Sequence, residues 1–173
     1  MATWKIDPAH TSISFVVRHL VLFKVRGAFK KFNGDLDFDP QSPTAARVEV
    51  HIDAASIDTG EAQRDGHLRS PDFFETEKFP EIVFKSRKIE KSGADFKVTG
   101  DLTMHGVTKE LVLSAESAGQ GKDLNGRERA GFTGKTSLDR TEFGLKWDRA
   151  LEAGGVAVGH KIEIEFELQA IAQ

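Results

Sequence analysis

The sequence predicts an all-β protein: eight or nine antiparallel strands closing into a barrel around one short helical insertion. Three observations predict it. Apolar residues recur with period two along most of the chain, which marks strands with one wet face. One long segment switches the parity of that alternation. Glycines also fall inside strand-like runs, at Gly27, Gly34, Gly100 and Gly134. So many one-sided strands must either stack as two sheets or close on themselves. The parity switch and the in-strand glycines favour closure.

The elements follow in order. Ile13, Phe15 and Val17 share one face of an early strand. Val25, Gly27 and Phe29 are odd-numbered, whereas Phe32, Gly34, Leu36 and Phe38 are even. A bulge or corner near Lys30-Lys31 returns both sets to one side. Val48, Val50 and Ile52 form the next apolar row. Thr59 to Phe74 breaks the strand rhythm: Thr59 is the expected N-cap, and Ser70-Pro71 the cap of a second short helix. Gly66 weakens the first helix by roughly 1 kcal/mol relative to Ala. Pro80 sends the chain back into strand. Glu81 to Ile89 is a less regular strand, with Ile82 and Phe84 on one side and Val83 on the other. Phe96, Val98, Gly100, Leu102 and Met104 then alternate cleanly, as do Leu111, Leu113 and Ala115. Asn125-Gly126 signals a hairpin into Ala130, Phe132, Gly134, Thr136 and Leu138. Ile162, Ile164, Phe166, Leu168 and Ala170 end the chain, opposite an outward acidic row of Glu163, Glu165 and Glu167.

Composition narrows the function. The 173 residues fit one domain, residues 1–173, with no linker or internal repeat. Lys and Arg number 24 against 27 Asp and Glu, a formal charge of −3. That balance argues against a nucleic-acid partner, which calls for a basic excess. No apolar run approaches the roughly 20 residues of a membrane helix. No secretory leader is visible, so the expected compartment is the cytoplasm, or the periplasm if a leader was removed. Cysteine is absent, which excludes thiol nucleophiles and thiolate metal sites. There are 13 Phe and 2 Trp but no Tyr, so nearly all the aromatic side chains lack a polar handle. Either a large core or an apolar lumen would use them.

Chemistry-bearing residues are sparse. Asp7, His10, His19, Asp65 and His67 are the candidates for catalysis, yet no His-Glu-x-x-His or His-x-His spacing joins the six histidines. No Gly-x-Ser-x-Gly elbow occurs, and Gly119-Gln-Gly121 lacks the partners of a phosphate loop. Asp35 and Asp37 fall on the outward face. Arg140, at a strand end, could grip an anionic headgroup, or pair with Asp139 or Glu142 at a corner. The expectation is a protein without catalysis, metal or cofactor.

The motifs together resemble one family. Trp4-x-Ile6-Asp7-x-x-His10-x-x-Ile13-x-Phe15-x-Val17-x-His19 opens the chain, followed by Gly27-x-Phe29. Arg64-Asp65-x-His67-Leu68-x-Ser70-x-Asp72-Phe73-Phe74 and Phe79-Pro80 come next. Gly100-x-Leu102-Thr103-Met104-x-Gly106-Val107-Thr108 and Asp139-Arg140-x-x-Phe143-Gly144 complete the pattern. It resembles the YceI-like polyisoprenoid-binding proteins of bacteria over essentially the whole chain. The resemblance implies an extended antiparallel eight-stranded lipocalin-like barrel, a homodimer, and an apolar lumen holding an isoprenoid chain such as that of an isoprenoid quinone.

The expected function is therefore noncatalytic binding, transport or storage of a polyisoprenoid lipid. Two others stay open: a stress-response module with a packed core and no lipid, and an enzyme using the Asp and His residues near the mouth. Ile13, Phe15, Val17, Phe29, Phe84, Phe96, Leu102, Leu113, Phe132 and Phe166 are the expected lumen residues. His19, Arg64, His67, Phe73, Phe74 and Arg140 are the expected mouth or headgroup residues. The helical segment is expected to close the mouth as a gate or a fixed plug, with Arg64, Asp65 and His67 fastening it to neighbouring loops.

Overall fold

The computed structural model describes residues 2–20, 22–148 and 158–173. Eleven strands form one antiparallel sheet: β1 (Ala2–Ile6), β2 (Ser12–His19), β3 (Phe23–Phe29), β4 (Phe32–Phe38), β5 (Arg47–Asp53), β6 (Ile57–Asp58), β7 (Glu81–Ser92), β8 (Asp95–Met104), β9 (Val107–Lys122), β10 (Glu128–Asp139) and β11 (Val158–Ala172). The order β1-β4-β5-β7-β8-β9-β10-β11 closes on itself through β1 and β11, with Trp4 opposite Ala172. This is a closed eight-stranded antiparallel barrel with, among the described residues, one short α-helix, α1 (Ala62–Arg69), as the sequence predicts.

The surplus of strands over eight comes from corners. β1 and β2 both pair with β11, at residues 170–172 and 158–167, so a short helical turn at Pro8–His10 interrupts one barrel position. In the same way β3 pairs with β2 while β4 pairs with β1. Lys30-Lys31 is the corner between them, and that corner produces the parity switch. It is locked to the matching break in the next position: Lys30 N–H donates to the Ser56 carbonyl (3.2 Å), and Asp53 N–H to that of Lys31 (2.9 Å). The irregular alternation of β7 has a different cause. Ser86 opposes Gly100 and Lys88 opposes Thr99, so Arg87 is an extra bulged residue. The bulge turns Ile89 to the same side as Ile82 and Phe84.

The in-strand glycines make room for rings. Phe15 opposes Gly27 and Phe166 opposes Gly134 across neighbouring strands. A methyl group at those glycines would lie 2.4 Å and 2.2 Å from the facing ring. Phe84 covers Gly100 in the same manner, at 2.6 Å. Large rings thus lie flat along the inner wall instead of filling the axis.

The helical segment corrects two expectations. The N-cap of α1 is Glu61, whose carboxylate accepts from the N–H groups of Gln63 (3.1 Å) and Arg64 (2.6 Å). Thr59 is instead held by buried Asp65, which accepts from its N–H (2.9 Å) and hydroxyl (2.5 Å). No second helix follows Pro71; residues 71–74 are turns. Ser70 donates its hydroxyl to the His67 carbonyl and accepts from Asp72 N–H, which stabilises the turn.

The barrel has two different ends. One carries the chain termini, the β4–β5 link and the β9–β10 hairpin. There Trp4, 2% exposed, packs edge-on to Phe38 (6.0 Å), and Phe38 edge-on to Phe132 (5.5 Å). The other carries the β2–β3 hairpin, α1, the β8–β9 turn and a short helical turn at Arg140–Phe143. Among the described residues no helix is long and apolar enough to cross a membrane.

A candidate lipid-binding lumen

Between the two ends lies a cavity of about 280 Å³, close to the lower edge of the ~300–1,000 Å³ common for ligand pockets. Its walls run from Pro43 and Ala46 near the Trp4 end to Leu68, Phe73 and Leu145 at the other. Nine of the ten expected lumen residues line it: Ile13, Phe15, Phe29, Phe84, Phe96, Leu102, Leu113, Phe132 and Phe166. Val17 does not. It lies between Val25 on β3 and Ile162 on β11, and of these three only Ile162 reaches the cavity.

Among the described residues only Thr11, Ser14, Thr136 and Arg140 bring polar side chains to the wall, and their hydrogen bonds go to the protein. Thr11 Oγ1 accepts from Gln169 N–H (3.0 Å). Ser14 and Thr136 hydroxyls donate to the carbonyls of Glu165 (3.4 Å) and Val112 (2.7 Å). Arg140, 3% exposed, directs its guanidinium into the turn beside it. Nε donates to Gly159 O (2.9 Å), Nη1 to the carbonyls of Leu145 (2.5 Å) and Trp147 (3.0 Å), and Nη2 to Val158 O (3.0 Å) and Asp148 Oδ2 (3.1 Å). A guanidinium has five N–H groups, and all five are spent. Burial lowers the Arg140 pKa, while the nearby Asp148 and Asp139 charges oppose that shift. Arg140 therefore corrects both readings of it. No donor remains for a headgroup, and its carboxylate partner is Asp148, since Asp139 accepts from Thr141 instead. It pins the segment after β10 against the start of β11.

Of the other mouth candidates, Phe73 and Phe74 line the cavity and the remainder do not. Phe74 meets Phe29 edge-on at 6.0 Å. Phe73 packs against His67 (5.1 Å) and Trp147 (5.2 Å), and His67 against Trp147 (4.9 Å), so three rings cover this end. His67 reaches Asp72 through Nε2 (2.8 Å) and has no place on the cavity wall. Arg64 turns back to Thr59, donating to its hydroxyl (2.7 Å) and carbonyl (2.8 Å). His19 is exposed at the end of β2. Arg64, Asp65 and His67 thus bond within their own segment. The side chain that fastens the segment to the barrel is Arg69, which donates to the carbonyls of Ala55 (2.8 Å) and Ile57 (3.2 Å). The local bonds win because their partners lie five or six residues away and need no long loop closure.

The catalytic candidates do not converge. Asp7 caps the Pro8–His10 turn and joins His10 (2.7 Å) and Arg129 (2.7 Å) in a network with Asp123, whereas Asp65 serves Thr59. The Arg129 hydrogen bond holds the Asp7 carboxyl below the usual carboxylate range. Among the described residues no group of three His, Asp or Glu could hold a metal.

The wall also contains residues of the same alternation beyond the ten expected, notably Leu36, Phe38, Val48, Val50 and Ile52. Leu145, 3% exposed, is another wall residue; it follows the Arg140–Phe143 turn and carries no periodic signal. Leu68 of the helical segment reaches the wall as well.

The fold has counterparts. A UPF0312 protein of Photorhabdus laumondii is 46% identical over 149 residues, spanning 85% of this chain and 78% of its own length. The crystal structure of BcnA from Burkholderia cenocepacia matches with a TM-score of 0.83 at 25% identity, over 95% of this chain and 98% of that one. A polyisoprenoid-binding domain from Saccharophagus degradans matches over the whole of both chains with a TM-score of 0.73. At 18% identity that last likeness establishes the fold alone. A sequence model of the YceI-like domain matches residues 4–170, and the chain belongs to the YceI-like family.

Proposed function

We propose that this protein is a noncatalytic carrier or store of a polyisoprenoid lipid, an isoprenoid quinone or related prenyl chain, held in the barrel lumen. The observation that carries the reading is the chemistry of the wall. A prenyl chain offers apolar area and almost no hydrogen-bonding groups. The wall matches it, because its few polar side chains are already bonded to the protein. The polyisoprenoid-binding domain of Saccharophagus degradans, built on the same fold, supports the same ligand class. At ~0.8 kcal/mol per buried methylene, roughly 25 buried carbons would already reach the practical ceiling of affinity, so specificity rests on lumen length and mouth.

Organic extraction of the purified protein followed by lipid mass spectrometry tests the proposal. A prenyl lipid should be recovered from the wild type and lost from Phe84→Asp and Phe166→Asp. The triple change of Glu163, Glu165 and Glu167 to Gln, on the exposed face, should leave lipid content unaltered. Extracts free of lipid after expression in cells that make isoprenoids would favour a module with a packed core. Analytical ultracentrifugation of the same material tests the proposed homodimer.

A further inference from the structure

The lumen leaves the β2–β3 hairpin unexplained. Leu20, Leu22 and Phe23 expose 41%, 80% and 62% of their surfaces, which gathers large apolar side chains at one tip. A single exposed leucine is ordinary, but a contiguous apolar tip marks an interaction site. Leu20 also holds a left-handed backbone, φ 53°, which non-glycine residues seldom adopt.

The two faces of this hairpin differ. Arg18 lies directly opposite Lys24, and Arg26 opposite Val16, so three exposed cations share the outer face. Like charges directly opposite destabilise a strand pair, and among the described residues none of the three forms an ion pair that would offset this. Residues 18–31 carry five Lys and Arg and no Asp or Glu, in a chain whose formal charge is −3. The inner face is an apolar row. Phe15 and Phe29, whose rings lie 5.7 Å apart, line the cavity; Val17 and Val25 continue outward, and Phe23 ends the row at the exposed tip. Beside Phe23 at the tip, His19 opposes Val158, another wall residue.

We propose that the β2–β3 hairpin docks on an anionic lipid bilayer. Leu20, Leu22 and Phe23 enter the interface, while Arg18, Lys24 and Arg26 meet the headgroups. Charge complementarity favours the bilayer over a second copy docked hairpin to hairpin, which would set cations against cations. The docking surface stands on its own chemistry. Its use, passing an apolar chain along Phe23, Val25 and Phe29 into the lumen, rests on the carrier reading above.

Flotation with phosphatidylcholine vesicles, with and without about 30 mol% phosphatidylglycerol, tests the docking. The wild type should float with the anionic vesicles, weakly with neutral ones, and lose binding as salt rises. Leu22→Asp should lower the partition coefficient by at least about tenfold. Each of Arg18→Gln, Lys24→Gln and Arg26→Gln should lower it about fivefold. Circular dichroism confirms that each variant is folded, and the salt titration reads the same electrostatics on the wild type if one is not. Failure of the wild type to float, equal binding to neutral vesicles, or wild-type binding by the folded variants would overturn the proposal. So would a dimer that Leu22→Asp dissociates without any vesicle binding, which assigns the tip to a second copy. Lipid extraction separates the two proposals: cargo in a protein that never floats sinks docking alone, and flotation without cargo sinks the carrier alone.

Discussion

The Trp4 end and the hairpin end close the same barrel by opposite means. At the Trp4 end, Trp4, Phe38 and Phe132 interlock as rings and Ala170 is wholly buried beside them. Outside, Arg129 ties Asp7, Gln169 and Asp123 together, so the break between β1 and β2 is clamped to β11 and to the β9–β10 hairpin. Hydrophobic packing seals this end and a charge network fixes its corner. At the hairpin end, a half-exposed helix lies over the barrel on the Arg69 hydrogen bonds, and Arg140 holds the following turn through carbonyls. Apolar area there is left facing outward. The contrast shows where a lumen can be opened: not where rings interlock, but where polar, locally bonded segments cover it.

The largest effect expected from this contrast is Trp4→Ala, which should cost about 3–5 kcal/mol in urea unfolding. Leu22→Ala, on the exposed tip, should stay within about 0.5 kcal/mol. A loss below about 1 kcal/mol for Trp4→Ala would mean that the rings do not seal their end. Next comes Arg140→Met, which strands four carbonyls and Asp148 and should cost about 3 kcal/mol. Arg140→Lys should recover little, because an ammonium has three donors and a different shape. Thermal unfolding read beside lipid content would decide this. A fully stable Arg140→Lys would show that charge, and not the fork of donors, holds the turn.

Gly134→Ala tests the wall between the ends. Its methyl would meet the Phe166 ring at 2.2 Å and the Ser114 carbonyl at 2.7 Å, so a loss of about 1–3 kcal/mol is expected, with reduced lipid content. Gly131→Ala, whose nearest neighbour is 3.5 Å away, is the control. Equal behaviour of the pair would undo the idea that glycines keep the axis clear.

Asp7→Asn tests the clamp. A carboxyl held below its ordinary value of 3.8 stabilises the fold above that value and loses the contribution as pH falls through the lowered one. The wild type should exceed the variant by about 1 kcal/mol at neutral pH, and the gap should close below about pH 4. A gap unchanged in acid would sever the clamp from ionisation. The smallest effect belongs to Gly66→Ala in α1, where an added methyl meets nothing within 4 Å. It should stabilise the helix by up to about 1 kcal/mol. If α1 gates the lumen, lipid loading and release should slow by similar factors; unchanged rates would leave a fixed plug.

Much of this protein was legible in the order of its residues, because a strand has a period of two and sidedness is a local property. The alternation of β8 and β11, the corner at Lys30-Lys31 and the wall positions of nine chosen side chains all followed from it. What local pattern does not contain is the partner. Arg140 reads as a rim charge until the fold brings five acceptors around it. The Arg87 bulge is invisible without the neighbouring strand, since only the β8 register shows which residue is extra. Thr59 and Glu61 compete to cap α1, and placement of the Asp65 carboxylate on Thr59 settles it. Sequence determined which faces are apolar, as a property of each residue and its neighbours in the chain. Tertiary structure decided which polar atoms are spent and which remain free, because a hydrogen bond is settled by geometry between segments that may lie more than a hundred residues apart, as Asp7 and Arg129 do.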